Sequence, residues 1–407
     1  MLKSLLILTI VSLIHFCNAQ CPREDFVNDY NDNYLGSATT STDLAWTGNV
    51  GSCTIGSISV DSKDKVLQRV NYYRRLVGLP DNIIFDGIKN QKCQSAALMM
   101  RANNQLSHTP PTSWTCYTAD GAEAASRSNI SWSHGSNSIT SFISDFGSNN
   151  TAVGHRRWIL YSRSANFGFG TTAEGMSALW VVGDYTDPPP GFDHSSYPPE
   201  GLVPQLLVFG RWSFSKPSAD FTNATVKMFD ENGDSISLYI EPISFGPGDR
   251  TIVWVPSNIN KTDTIDVTYT VKIIGVDTGG GNLKNYVYDV TLINPVYPPS
   301  CISEYSWVED SCVCMSDYDI QFLGLKNIFE TEPTVYPQPA TDILNVTLQA
   351  GFTPIVQLFS IEGKELRVEH RQEGTKLIMR TVGLSPGMYI VLMHDKDIMI
   401  RRRFIKQ

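Results

Sequence analysis

What this chain lacks narrows its function before any motif is read. Beyond residue 16 no apolar run approaches the roughly 18 residues that a membrane-spanning helix needs. Positive charge is short: 32 Lys and Arg stand against 41 Asp and Glu, a formal net charge of -9. That balance argues against nucleic acid or an anionic membrane as the main partner. Familiar catalytic signatures are missing as well. There is no Gly-x-Ser-x-Gly nucleophile turn, no His-Glu-x-x-His zinc helix and no Gly-rich phosphate loop. Cys312-Val-Cys314, with one residue between its thiols, lacks the spacing of a zinc ribbon.

What is present begins with an export signal. A basic start at Lys3, an apolar run from Leu5 to Phe16 and the small-residue end Cys17-Asn-Ala19 read as a secretory signal peptide over 1–19. The expectation is a protein secreted or attached to the cell surface. Of the eight cysteines, Cys17 leaves with the signal. An odd number then enters an oxidising compartment, so at least one thiol stays free or bridges outward. Cys93–Cys116 is the expected disulfide within the first domain. Cys21–Cys53, and Cys301 with Cys312 or Cys314, are further candidates.

At 407 residues and 42% hydrophobic composition the chain can build roughly two or three cores. Residues 20–60 are polar and without period, and read as a solvated leader. From Asp61 a helix places Val66, Val70, Tyr73 and Val77 on one face, and Gly78 with Pro80 ends it. A second helix, near 91–105, leads to His108, and its Met99-Met100 pair reads as core. A third, near 137–146, aims Ile139, Phe142, Ile143 and Phe146 inward and sets Asp145 about 100° off that face. Apolar strands follow at 157–161 and 178–182, with His155 at the entry to the first. Helices followed by strands give an α+β fold over 61–184. Two histidines and a carboxylate are a candidate metal or acid/base set. Read on its own, His155 is equally a strand-entry residue bonded to backbone.

The order Asn71-x-x-Arg74, Gly78-Leu-Pro80, His108, Ser128-Asn-Ile130, Asp145 and Gly154-His-Arg-Arg-Trp158 resembles the CAP superfamily, that of cysteine-rich secretory, antigen 5 and pathogenesis-related proteins, in its bacterial form. The resemblance implies an α-β-α sandwich with an open cleft, lined by two histidines and two acids that can hold a divalent metal. Carried over, His108 and His155 take the histidine places and Asp145 that of a helical Glu. The second acid of the family's Glu-Asn-Ile motif is Ser128 here, with Glu123 nearby as a candidate substitute. His108, His155 and Asp145 would make a three-ligand site suited to Zn²⁺. A zinc hydrolase also needs a general base, which Ser128 cannot supply at neutral pH.

Residues 185–204 are Pro-rich and read as a linker. Short alternating apolar runs over 205–296 suggest a β-sandwich, in which Trp212 reads as core rather than as a carbohydrate platform. Residues 297–332 read as a Cys-containing spacer. Over 333–407, Tyr336-Pro-Gln-Pro-Ala-Thr-Asp342, the Gly363-Lys364 turn, Leu384-Ser-Pro-Gly-Met-Tyr389 and the basic end Arg401–Lys406 closely resemble the C-terminal sorting domain of the type IX secretion system. That resemblance implies export by the type IX machinery, the partner of this segment. The architecture expected is a CAP domain followed by two all-β sandwich modules.

Three functions stay open at this point. The first is a non-enzymatic protein binding a lipid, peptide or glycan in the CAP cleft. The second is a metal-dependent hydrolase of peptide or cell-wall material, and the third an adhesin gripping glycan through the middle sandwich. The missing acid at Ser128 favours the first over the second.

Overall fold

The computed structural model describes residues 22–261, 266–296, 305–308, 313–316, 333–360, 365–394 and 399–407. The signal-peptide reading of 1–19 lies outside them. The chain divides into two compact units, 1–299 and 300–407, and each is taken by itself.

In the first unit, α1 (Pro22–Asp29) runs into a π-helical turn over Tyr30–Leu35, and α2 (Val60–Leu76) starts at Ser59, whose hydroxyl accepts the Ser62 N–H. The predicted stripe Val66, Val70 and Tyr73 is fully buried. Tyr30, Leu44 and Ile58 are buried in the same core. The stretch read as a solvated leader is therefore folded. Its few large apolar residues reach the core, and its buried Ser37 accepts from Arg69 Nε at 2.7 Å. Sparse anchors in a polar background leave no period to detect.

β1 (Ile84–Phe85), α3 (Gly87–Asn103), α4 (Ala119–Arg127), β2 (Ser128–Ser131), α5 (Gly135–Ser144), α6 (Gly154–Ile159), β3 (Asn166–Thr171) and β4 (Ser177–Trp180) follow, and the strands form one sheet in the order β1-β3-β4-β2. Alternation along the strands sends Phe167, Phe169 and Leu179 into the core shared with α2 and α5. Ile130, Ala178 and Trp180 face a second cluster, with Cys93, Ala96, Met99 and Met100 of α3 and Ala124 and Ala125 of α4. Helices thus cover both faces of the sheet. Alternating with the phenylalanines of β3, glycine is required: a Cβ at Gly168 would lie 2.3 Å from Lys89 Cβ, and one at Gly170 2.1 Å from the Gln94 backbone nitrogen. Without side chains there, α3 lies directly on β3. The run Arg157–Tyr161, expected as a strand, is the last turn of α6 (to Ile159) and the loop after it. Val153 turns the chain with φ +43, and its carbonyl accepts the Arg157 N–H at 3.0 Å, starting a helix.

The expected disulfide is also corrected. Cys116 pairs with Cys53, and Cys93 is free and buried. Cys93 lies on the inward face of α3, 3.8 Å from Ser128 Oγ. Cys116 and Cys53 sit in surface turns with φ of +58 and +55. The bridge therefore ties the N-terminal segment to the α3–α4 loop, and Cys21–Cys53 is excluded with it. The candidate bridges of Cys301, Cys312 and Cys314 lie outside the described side chains.

β5 (Ser195–Tyr197), β6 (Gly201–Pro204), β7 (Trp212–Lys216), β8 (Thr225–Phe229), β9 (Ser235–Ile236), β10 (Leu238–Ile240), β11 (Arg250–Pro256), β12 (Val267–Asp277) and β13 (Leu283–Ile293) build the sandwich, as sheets β10-β11-β7-β5 and β6-β13-β12-β8-β9. The segment read as a Pro-rich linker supplies β5 and β6. Both are edge strands, where proline's missing N–H costs no ladder bond. Trp212 is 0% exposed, against Trp254 and Tyr269. It is core and offers no face to a sugar.

In the second unit, 305–308 and 313–316 pair as a hairpin. Residues 335–406 form two four-stranded antiparallel sheets around Leu344, Leu358, Met379, Val391 and Phe404. Its longer strands are 343–347, 355–360, 376–380, 387–394 and 399–406.

Burial pushes the Cys93 thiol up to about 12. In the native, oxidised protein, iodoacetamide is expected to leave Cys93 unmodified and to label it only after denaturation, while peptide mapping recovers Cys53–Cys116. Replacing both bridge cysteines with serine should cost about 4 kcal/mol for a loop of this length, read by urea unfolding.

Candidate functional site

The expected site residues depend on α6 and on the turn at the end of α5. Asp145 ends α5 in a left-handed conformation, φ +48, and its side chain is 0% exposed. Sequence spacing had placed it off the buried face. The structure corrects this, because the left-handed turn swings the carboxylate under α6. There Oδ1 accepts from His155 Nδ1 at 2.7 Å, and Oδ2 accepts the backbone N–H of His155 at 2.9 Å and of Arg156 at 3.4 Å. A carboxylate is well suited to this task, since the first N–H groups of a helix have no partner within it. The His155 ring packs on Phe142 with centroids 5.5 Å apart, and its side chain remains 25% exposed. Since Nδ1 is engaged, Nε2 is the edge left for another group.

His108 is exposed, and its Nδ1 pairs with the Ala125 carbonyl at 2.8 Å. Ser128 faces Cys93, on the opposite side of β2 from Asn129. Asn129, which sequence reading passed over, donates from Nδ2 to the His155 carbonyl at 2.9 Å. The period-two alternation of Ser128-Asn-Ile130 carried that signal, once the segment is known to be a strand. Glu123, the candidate substitute acid, is held by Lys92 at 2.6 Å and lies near Arg127 at 3.7 Å. His108, Asp145 and His155 are not gathered as a ligand set. Among the described residues, no three or more His, Cys, Asp or Glu are grouped to hold a metal. Both Asp145 oxygens are already used by N–H donors, so the residues present do not fit the three-ligand zinc site that the resemblance implies.

The rest of the motif is structural. Asn71 exchanges two hydrogen bonds with the Ile83 backbone, at 3.1 and 3.2 Å. Arg74 donates to the carbonyls of Pro80 at 3.0 Å and of Ile159 and Tyr161 at 2.9 and 3.0 Å, tying α2 to the end of α6. Arg156, 1% exposed, donates to the carbonyls of Ile143 at 2.7 Å and Arg211 at 2.9 Å and to Ser213 Oγ at 3.1 Å. Arg157 donates to the carbonyls of Ser244 at 3.1 Å and Asp249 at 3.0 Å. Burial lowers both guanidinium pKa values to about 10. Arg211 completes the frame, donating to the Asp145 carbonyl at 3.3 Å while paired with Glu241 at 2.8 Å.

This is the frame of an α+β domain whose motif residues lock α6 in place and present one histidine edge. Residues 67–185 match the family model of the cysteine-rich secretory protein family, and residues 334–407 match that of the secretion system C-terminal sorting domain. The chain is thus an exported protein with a CAP domain and a type IX sorting domain, secreted or held at the cell surface. No helix among the described residues is long and apolar enough to cross a membrane. No curated protein matches the chain. Among solved structures it is similar to a titin Ig tandem, at 11% identity over 48% of this chain and 86% of that one, TM-score 0.15. It is also similar to the E. coli chaperone DraB, at 10% identity over 48% and 87%, TM-score 0.15. A third is an Anoxybacillus pullulanase complexed with maltotriose, at 10% identity over 50% and 24%, TM-score 0.16. Scores this low support no inference about this chain.

Asp145→Ala removes the acceptor of three N–H groups and should destabilise the protein by about 3 kcal/mol, while Asp145→Asn, keeping an acceptor, should cost less. Urea unfolding of the two variants checks the order.

Proposed function

We propose that this exported protein is a non-enzymatic binder, taking a small or surface ligand at the exposed face of the CAP domain around His155 and His108. The observation that supports this reading is the state of Asp145. Its carboxylate is buried and fully engaged in holding α6, so it is not free to ligate a metal or to move a proton. Ser128, the other position where the family resemblance places an acid, lies against a thiol. What remains is recognition chemistry. His155 and His108 each carry an imidazole able to hydrogen-bond a ligand, and Phe146, next to Asp145 in the chain, exposes its ring.

Palmitate, a trialanine peptide and chitotriose represent the lipid, peptide and glycan classes. In saturation-transfer NMR with the intact chain, one of the three is expected to bind, and His155→Ala to weaken it at least about tenfold. Turnover of the peptide or glycan that falls with His155→Ala would overturn the non-enzymatic reading. A parallel zinc titration by calorimetry is expected to show no site shared by His108 and His155. Zinc uptake lost in the His108→Ala/His155→Ala double variant would reinstate the metal-hydrolase alternative.

A further inference from the structure

Of the strands that end the two sheets of the sandwich, three leave little to pair with. β5 is buried from Ser195 to Tyr197, β6 ends in Pro204, and β9 is two residues long. β10 has none of these protections. Tyr239 is 62% exposed and Ile240 40%, and the run Ser235-Ile-Ser-Leu-Tyr-Ile240 carries neither charge nor proline. Glu241 follows, with its carboxylate engaged by Arg211 at 2.8 Å. The bonds at its two ends fix which way β10 turns its backbone. Glu241 donates its N–H to the Val253 carbonyl at 2.9 Å, and the Ser237 carbonyl accepts the Ser257 N–H at 2.9 Å. Antiparallel ladders alternate, so Tyr239 also faces β11, while Leu238 and Ile240 point their N–H and C=O groups away from it. Among the described residues no strand pairs with β10 on that side. The same two residues line a groove of about 370 Å³, with Val226 and Lys227 of β8 and Ile236 of β9.

We infer that β10 is a dimer interface, at which two copies of this chain pair their β10 edges antiparallel across a two-fold axis at Tyr239. The ladder dictates the register. With the two tyrosines opposite each other, Leu238 stands opposite the partner's Ile240, and each donates its N–H to the other's carbonyl. The axis repeats this exchange, so the outward groups of both residues are satisfied in both copies. Opposed side chains share a face of a sheet. Leu238 therefore packs beside the partner's Ile240 on the groove side, joining the two grooves, and the tyrosines pair on the other face. Pro242, the next residue whose backbone would face outward, has no N–H, so the shared ladder stops before it. A second copy suits this edge because its own sequence sets apolar residue against apolar residue and opposes no like charges. Elsewhere the copies repel, since the chain carries a net charge of -9. A ladder this short puts the dimer at the weak end of specific interfaces.

The test is sedimentation equilibrium of the full chain over a range of concentrations. The mass is expected to rise from monomer towards dimer, with half-dimerisation at about 50 µM. Tyr239→Lys and Tyr239→Glu each set like charges face to face and should each weaken the dimer at least about tenfold. Mixed one to one, the two variants should pair again, a recovery that misfolded protein could not give. Tyr239 lies outside the core, so the urea midpoint of each variant is expected to match the wild type. A chain that stays monomeric up to about 500 µM would overturn the proposal and leave the edge to a strand of another protein. Dimerisation undiminished in both variants would place the contact elsewhere and overturn it equally. So would a mixture of folded variants no more dimeric than its components.

Discussion

Two adjacent guanidinium groups, buried on a helix of six residues, set the terms for the rest of the first unit. A helix as short as α6 has no stability of its own. Arg156 and Arg157 hold it by hydrogen bonds to carbonyls of the α5 end, of β7's approach and of the loop before β11. A planar guanidinium can reach several carbonyls at once, which a lysine ammonium in the same place could not match. The unit cannot come apart between helical layer and sandwich without exposing these carbonyls and stranding two cations. That is why the segment between them, proline-rich as it is, is built into the sheets.

The same constraint explains the character of the site. Once α6 is fixed, its free N–H groups need an acceptor, and Asp145 supplies it from the left-handed end of α5. A carboxylate used this way is a structural anchor. His155 is then oriented through Nδ1 and backed by Phe142, with its carbonyl held by Asn129. The arrangement holds the ring in one orientation with Nε2 left for another group, which suits the recognition proposed above. Export is carried by a separate unit, the sorting domain, which places the first unit outside the cell, where the Cys53–Cys116 disulfide can form and persist.

Much of this was legible in the sequence because it rests on local rules. The α2 stripe, the short strands of the sandwich and of the sorting domain, and the buried methionines of α3 follow from period and turn chemistry. The motif residues His108, Asp145 and His155 were singled out by their order in the chain. Their work was not legible. Whether Asp145 points outward or under α6 depends on one left-handed φ. Whether 157–161 is helix or strand depends on the partners of Arg156 and Arg157, which lie about 55 to 90 residues away in sequence.

The sequence by itself determined the presence of a CAP and a sorting domain, the α+β and all-β character of its parts and the exported class of the protein, since these follow from composition, period and motif. Only the tertiary structure decided the thiol pairing. Cys116 lies in the chain within reach of either Cys93 or Cys53, and the choice follows from which faces the core: Cys93 turns inward on α3, and Cys53 sits in the exposed turn. It also decided that residues 22–60 are folded and that residues 185–204 are partly strand, because both depend on surfaces supplied by distant parts of the chain. And it decided that the acid of the motif is a helix anchor, since a carboxylate's task is set by the donors around it, and these come together only on folding.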